Sequence, residues 1–169
     1  TGVAAPNAWL VFYWSTKLLP RAFELRRFKY VWLLVCLLQN SPTRTPIGGA
    51  HYQAVLVFKK GEPKLNMRMS DIIYSTDLFK PVKDPQFKCT ASIGSLIQTF
   101  SKPGDLVLDP FAGYGSVPLM CELLGRRWIA FEIDPLKALE AVKFISSNLR
   151  SCRLPDFSGG WSGAASLKT

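Results

Sequence analysis

Residues 106–116 read Leu-Val-Leu-Asp-Pro-Phe-Ala-Gly-Tyr-Gly-Ser, and the fold is decided there. Leu106 to Leu108 form a short apolar run that reads as a buried strand. Ser116 to Leu124 reads as a helix, with Pro118 in its first turn and Gly125 just past its end. Between strand and helix, Gly113 and Gly115 can adopt backbone angles closed to other residues and leave no side chain in the way. Ligands of parallel α/β sheets bind at this kind of junction, outside the carboxyl ends of the strands. Asp109, at the strand end, is an acceptor for a cationic group such as an ammonium. A dinucleotide fits poorly, because its pyrophosphate would face that carboxylate.

Downstream, Trp128 to Phe131 reads as a second buried strand, and Glu132 follows it at about the ~20-residue offset at which an acidic residue accepts hydrogen bonds from ribose hydroxyls. One acidic group for an ammonium and another for a ribose suit S-adenosylmethionine, which has both features and no phosphate. Pro135 to Leu149 is the clearest helix, with Leu136, Leu139, Val142 and Ile145 on one face. Upstream, Ile93, Leu96, Ile97 and Phe100 follow helical spacing from Thr90, and Pro103-Gly104-Asp105 is a turn. Strands alternating with helices imply parallel strands joined by crossovers, here one half of an open doubly wound sheet.

The first part of the chain contributes further strands at Ala8 to Trp14, Tyr30 to Leu38 and Tyr52 to Phe58, and a weak one at Asp71 to Tyr74. Ser15 is expected to cap a helix from about Thr16 to Phe28, with Pro20 near its start. Asn40 to Gly49 reads as a loop, Asp77 to Lys88 as irregular, and the Ser- and Gly-rich stretch after Arg150 as a poorly ordered tail. One domain over 1–150 is expected, its cofactor-binding half at 87–150, followed by a tail at 151–169.

A chain of 169 residues with 48% hydrophobic content is long and apolar enough for a core. The longest apolar run, Tyr30 to Leu38, falls short of the ~20 residues that cross a bilayer. No signal-peptide pattern opens the chain. It begins with Thr1, so an upstream part is expected. Cys36, Cys89, Cys121 and Cys152 form no CxxC pair, and His51 is the single histidine. That excludes a zinc site of ordinary ligand spacing and reads as free thiols in a reducing compartment. Net charge is +9, and residues 1–100 carry most of it: 13 Lys or Arg against 5 Asp or Glu. Such asymmetry suggests a polyanionic partner for the first part.

The strings DPFAGYGS (109–116) and GRRWIAFEID (125–134) resemble the cofactor motifs of DNA amino-methyltransferases, which methylate the exocyclic amino group of adenine or cytosine. FKCTASIGSLIQTFSKPGDLVLDPF (87–111) resembles the helix and turn before that motif in the beta-ordered subgroup. HYQAVLVFKKG (51–61) is similar to the family's strand ending in a Phe/Lys/Gly turn. The likeness runs from about Ala8 to Leu149 and is strongest from Phe87 to Pro135. It implies a Rossmann-like methyltransferase fold with an open, mostly parallel sheet, binding S-adenosylmethionine and acting on DNA. The implied cofactor-binding set is Asp109, Pro110, Phe111, Gly113, Gly115, Ser116 and Glu132. Within it, Asp109 and Gly113 would hold the methionine end, Phe111 would wall the adenine and Glu132 would hold the ribose. The chain departs from the family's usual pattern at Lys88-Cys89, where Lys-Pro is common, at Ser116, where Thr is frequent, and at Tyr114, whose bulk narrows the pocket.

The family's catalytic motif, Asp/Asn/Ser-Pro-Pro-Tyr/Phe, steers the target amine and stacks on the flipped base. It is not found in this sequence. The nearest string, DPQF (84–87), lacks the second proline and sits just before the helix that precedes the cofactor motif. In the beta order the catalytic strand precedes the cofactor motif, and Ala8 to Trp14 would follow it. The sheet is therefore expected to be incomplete at that strand, leaving Leu106 to Leu108 and Ala8 to Trp14 with unpaired edges across a gap. A missing upstream segment or a second chain would supply it. The basic first part would hold DNA phosphates through residues such as Arg26, Arg27, Lys59, Lys60 and Arg68. DNA is the expected partner, with no membrane, in a cytoplasm of bacterial or phage type. A non-catalytic cofactor- or DNA-binding module and an RNA guanine amino-methyltransferase are the alternatives. Target base, recognition sequence and oligomeric state stay open.

Overall fold

The computed structural model describes residues 4–38, 44–45, 48–49, 51–74 and 90–151. Its elements are β1 (Ala8–Trp14), a 3-10 turn (Thr16–Leu18) leading into α1 (Leu19–Ala22), β2 (Lys29–Leu37), β3 (Arg44–Thr45), β4 (Gly48–Gly49), β5 (Tyr52–Lys60), β6 (Ile72–Tyr74), α2 (Thr90–Phe100), β7 (Leu106–Asp109), α3 (Ser116–Leu123), β8 (Arg127–Ala130) and α4 (Pro135–Ser151). Expectations for 77–88 and for the tail beyond Ser151 fall outside the described residues.

Four strands form one sheet in the order β1-β5-β2-β6, and β7 and β8 form a separate parallel pair. β5 is antiparallel to both of its neighbours, so β1 and β2 run the same way, and β6 runs parallel to β2. Helix α2 fixes the two sheets relative to each other. Trp9, at the start of β1, packs edge-on against Phe100 at the end of α2, ring centroids 5.2 Å apart. Tyr13, near the end of β1, shares a 2.7 Å hydrogen bond with Ser92 near the start of α2. β1 is therefore antiparallel to α2. β7 is too, because the short turn at 101–105 reverses the chain after α2. β1 and β7 thus point the same way, with their carboxyl ends at one end of the molecule. Among the main strands only β5 runs against this direction, which is the mostly parallel α/β arrangement.

Burial explains the bridging role of α2. Its Leu96 joins Leu34, Cys36, Val55, Val57 and Ile73 against the larger sheet. Ile93 and Ile97 join Met120 and Cys121 of α3, with Val107 and Trp128 of the small sheet alongside. Tyr13 touches both clusters. The turn into β7 is pinned by the buried Arg126, whose guanidinium donates to the carbonyls of Ser101 and Leu124, each at 2.6 Å.

Four expectations fail. Within the expected loop from Asn40 to Gly49, β3 and β4 pair as a short antiparallel ladder. The helix over 16–28 reduces to a 3-10 turn and one α-turn, and Ser15 makes no side-chain cap. Phe23 meets Tyr30 edge-on and lies tilted against Phe58, and Phe28 packs with Leu56 and Phe58. On a continuous helix, residues five apart point about 140° apart, so the chain unwinds to seat both rings on the sheet. β7 and β8 are not fully buried: Leu106 (54% exposed), Leu108 and Ile129 leave one face bare. Finally, α4 packs through Ala141 and Phe144, while Leu136, Leu139 and Val142 (61% exposed) face outward. The small Ala141 allows the approach to Gly115 that bulkier Leu side chains would block.

Among the described residues β1 pairs only with β5, and β7 only with β8. No described strand therefore joins β1 to β7, and α2 packs against both sheets. Tyr13→Phe removes the hydrogen bond between Tyr13 of β1 and Ser92 of α2. It is expected to lower stability by about 1 kcal/mol, read as a lower urea midpoint at unchanged slope.

Candidate cofactor site

The site is made by two loops at the carboxyl ends of β7 and β8. In the first, Asp109 Oδ1 accepts the Phe111 amide at 3.0 Å, and the Gly115 amide donates to the Ala112 carbonyl at 2.8 Å. Gly113 (φ 52°) and Gly115 (φ 81°) take left-handed angles that cost other residues ~1–2 kcal/mol. A side chain at Gly113 would meet nothing within 4 Å, so the loop is open on that side. At Gly115 a Cβ would come within 3.1 Å of Ala141 and Ile145 of α4. The two glycines therefore serve different needs: one keeps the approach clear, the other lets α4 close against the loop.

The second loop is tied to the first by Glu132. Its Oε2 accepts the Gly113 amide at 2.8 Å and its Oε1 the Asp134 amide at 3.0 Å. The Ala112 amide donates to the Phe131 carbonyl at 2.8 Å, adding a second tie. Asp134 in turn caps α4, accepting the Leu136 amide at 2.9 Å, with Pro135 as first helical residue. The amides of Asp134, Gly113 and Ile133 hold the Glu132 carboxyl below its ordinary pKa. A carboxylate offers about four acceptor positions, so Glu132 retains capacity for a ligand hydroxyl.

Asp109 differs. Burial raises its pKa, the Phe111 amide opposes this, and the Glu132 charge adds to the rise. No Lys or Arg among the described residues bridges to it. A partly desolvated carboxylate without a cation is poised for a cationic ligand. Phe111 is 86% exposed and Ile133 99% exposed, so an apolar side chain stands out from each loop.

The expected cofactor residues thus converge on one pair of loops. Phe111 and Pro110 are exposed, Asp109, Gly113 and Glu132 are half-buried on the two loops, and Gly115 and Ser116 are buried where α3 begins. Tyr114 is partly buried, with the Lys137 ammonium 5.8 Å from its ring centre. Ile133 was not singled out from the sequence. Its signal was an apolar residue between two acidic ones, Glu132 and Asp134, beyond the end of a strand. Cys121 lies beneath the site, and burial pushes its thiol up to about 12, so it is inert packing.

The DNA methylase family model matches residues 77–143, which contain both loops. That match spans 67 of the 169 residues and makes this stretch similar to the DNA methylase family. YubD of Escherichia coli K12, named a methylase, is 33% identical over 89 residues, covering 50% of this chain and 37% of YubD. The type II methyltransferase M.PvuII of Proteus hauseri is 32% identical over 77 residues, 45% of this chain and 20% of the relative. The chain thus spans well under half the length of these two relatives. In fold it resembles the M1.HpyAVI–SAM complex, with a TM-score of 0.71 at 23% identity, covering 83% of this chain and 76% of the other. The cytosine-N4-specific PvuII DNA methyltransferase gives a TM-score of 0.63 at 17% identity, covering 80% of this chain and 62% of that one. These likenesses show the methyltransferase fold expected from the motifs.

Because Asp109 has a higher pKa folded than unfolded, its ionisation favours the unfolded chain. That penalty is absent below the unfolded pKa and complete above the folded one. Asp109→Asn keeps the acceptor for the Phe111 amide, so it is expected to raise the melting temperature at pH 7, with the gain disappearing in acid. Gly115→Ala is expected to lose about 1–2 kcal/mol from backbone angle alone, visible as a lower melting temperature.

Proposed function

We propose that this chain is the cofactor-binding part of an S-adenosylmethionine-dependent methyltransferase that modifies the exocyclic amino group of adenine or cytosine in DNA. The observation that carries this reading is the uncompensated, partly buried Asp109 beside a glycine loop that Glu132 holds open. Asp109 would accept the cofactor's ammonium, and Glu132 its ribose hydroxyls. Gly113 would pass its backbone close to the methionine end, and Phe111 would lie against the adenine. Pro110 fixes the chain after Asp109, and Gly115 and Ser116 set the start of α3. When bound, the cofactor supplies an electrophilic methyl group on its sulfonium. This chain's residues orient that group and contribute no catalytic side chain that the sequence reveals.

The catalytic motif would come from an additional segment, upstream in a longer chain or on a second polypeptide. Three features support an inserted strand between β1 and β7. Their edges are free among the described residues, they run the same way, and the bare Leu106, Leu108 and Ile129 face lacks a covering layer. A restriction-modification role in a bacterial or phage-infected cytoplasm follows from the same reading. No helix among the described residues is long and apolar enough to cross a membrane.

Calorimetric titration with S-adenosylhomocysteine tests the cofactor site. The chain is expected to bind it, and Asp109→Ala to weaken binding about ten- to a hundred-fold, the loss of a charge-assisted hydrogen bond. Equal binding by both proteins would remove Asp109 from the site and the reading with it.

A further inference from the structure

The positive charge of the first part is not spread evenly over its surface. Arg26, Arg27, Lys29, Lys59, Lys60 and Glu62 line one cleft of about 380 Å³. The strand register assembles it. Lys29 opens β2 directly opposite Lys59 of β5, and Lys60 lies opposite Ala8 of β1. Like charges facing each other across strands are unfavourable. Glu62 offsets them in part, through its ion pair with Lys59 and its attraction to Lys29. Five cations against one carboxylate leave an excess of four positive charges in the lining. Behind it, the rings of Phe23, Tyr30 and Phe58 pack at 5.3 and 5.6 Å, which fixes the backbone on either side of Arg26 and Arg27. The cleft is therefore open and cationic, backed by packed aromatic rings, which is the chemistry of a phosphate-backbone contact. Arg68, expected among the DNA-binding residues, does not line it.

Its position separates it from the donor site. Lys59 and Lys60 lie where β1 begins, and Asp109 lies at the end toward which β1 and β7 both run. The seven residues of β1 alone span about 20 Å at ~3.3 Å each. At ~3.4 Å of duplex axis per nucleotide, that distance is about six base pairs. Phosphates beside a base presented to the donor site would thus lie about six base pairs from the cleft.

We infer that this cleft is a second, sequence-independent contact for the phosphate backbone of duplex DNA, at the end of the sheet opposite the methyl-donor site. The inference rests on the DNA reading given above. Its role is retention of duplex, not presentation of the target base.

The test is fluorescence anisotropy of the full chain with a labelled 30-base-pair duplex, from 50 to 200 mM salt, using two unrelated sequences. The variant Arg26→Ala/Arg27→Ala/Lys60→Ala is expected to bind both duplexes more weakly. Its slope of log affinity against log salt should fall by up to about 3, near 0.9 per lost phosphate contact. S-adenosylhomocysteine binding should be unchanged, which shows that the variant is folded. The charge-matched control Lys102→Ala/Lys143→Ala/Arg150→Ala should bind duplex like the parent. Parent-like slopes in the triple variant, or an equal loss in the control, would overturn the inference. So would capture of the parent by anionic phospholipid vesicles with no binding to duplex. S-adenosylhomocysteine binding that survives such a result leaves the cofactor site standing. Duplex binding that depends on the cleft in a chain that binds no S-adenosylhomocysteine would sink the methyltransferase reading alone.

Discussion

The two short hydrogen bonds from the Gly113 and Asp134 amides to the Glu132 carboxylate hold the site together. They join loops that follow different strands, and they do so at the residue where the first loop takes a left-handed turn. With Gly113 fixed, Asp109 is left facing an open side of the loop, and its own amide contact runs only to Phe111. With Asp134 fixed, α4 begins at Pro135 and lays Ala141 against Gly115. One carboxylate therefore sets the entry to α4 and the shape of the ligand opening. Its pKa is lowered by those amides, whereas that of Asp109 is raised by burial. Two acids in one site are thus kept in contrasting states: one satisfied by the protein, the other awaiting a cation. Divergent environments of this kind mark functional pairs.

The second constraint is the break between the sheets. Helix α2 contributes Leu96 to one core cluster and Ile93 and Ile97 to another, so both sheets keep their orientation although no described strand joins them. The result is a frame with exposed apolar surface where a further layer would sit, at Leu106, Leu108 and Ile129, and along Leu136, Leu139 and Val142 of α4. Apolar patches of this extent mark surfaces that are covered in use. Unpaired strand edges invite pairing. Both features fit a fold in which the donor site and the catalytic motif come from different stretches of polypeptide.

The strand–turn–helix at 106–123 was legible because glycine positions, the acidic strand end and the following helical period agree. The acidic partner was legible from its offset alone. What the sequence hid were choices between equivalent patterns. α4 carries two apolar stripes, and periodicity cannot say that the one with Ala141 and Phe144 packs inward; closeness to Gly115 decides it. The short runs at 106–108 and 128–131 look like strands buried on both faces, but among the described residues one face of each is exposed. The expected helix at 16–28 gave way to the pull of Phe23 and Phe28 onto Phe58 and its neighbours, a tertiary demand that local spacing does not record. Cationic residues in the first part were visible as a count. Their gathering into one cleft at the far end of the sheet depends on strand register, which emerges only from the fold.

The most direct measurement is an NMR titration of the Asp109 side-chain carboxyl carbon, in the free chain and in the chain saturated with S-adenosylhomocysteine. Without ligand, this carboxyl should titrate above the usual aspartate range, because burial and the Glu132 charge raise it. With an ammonium bound beside it, the same carboxyl should titrate below its free value. An Asp109 that titrates alike in both states would contradict the account, since the partly buried acid would then have no cation to meet.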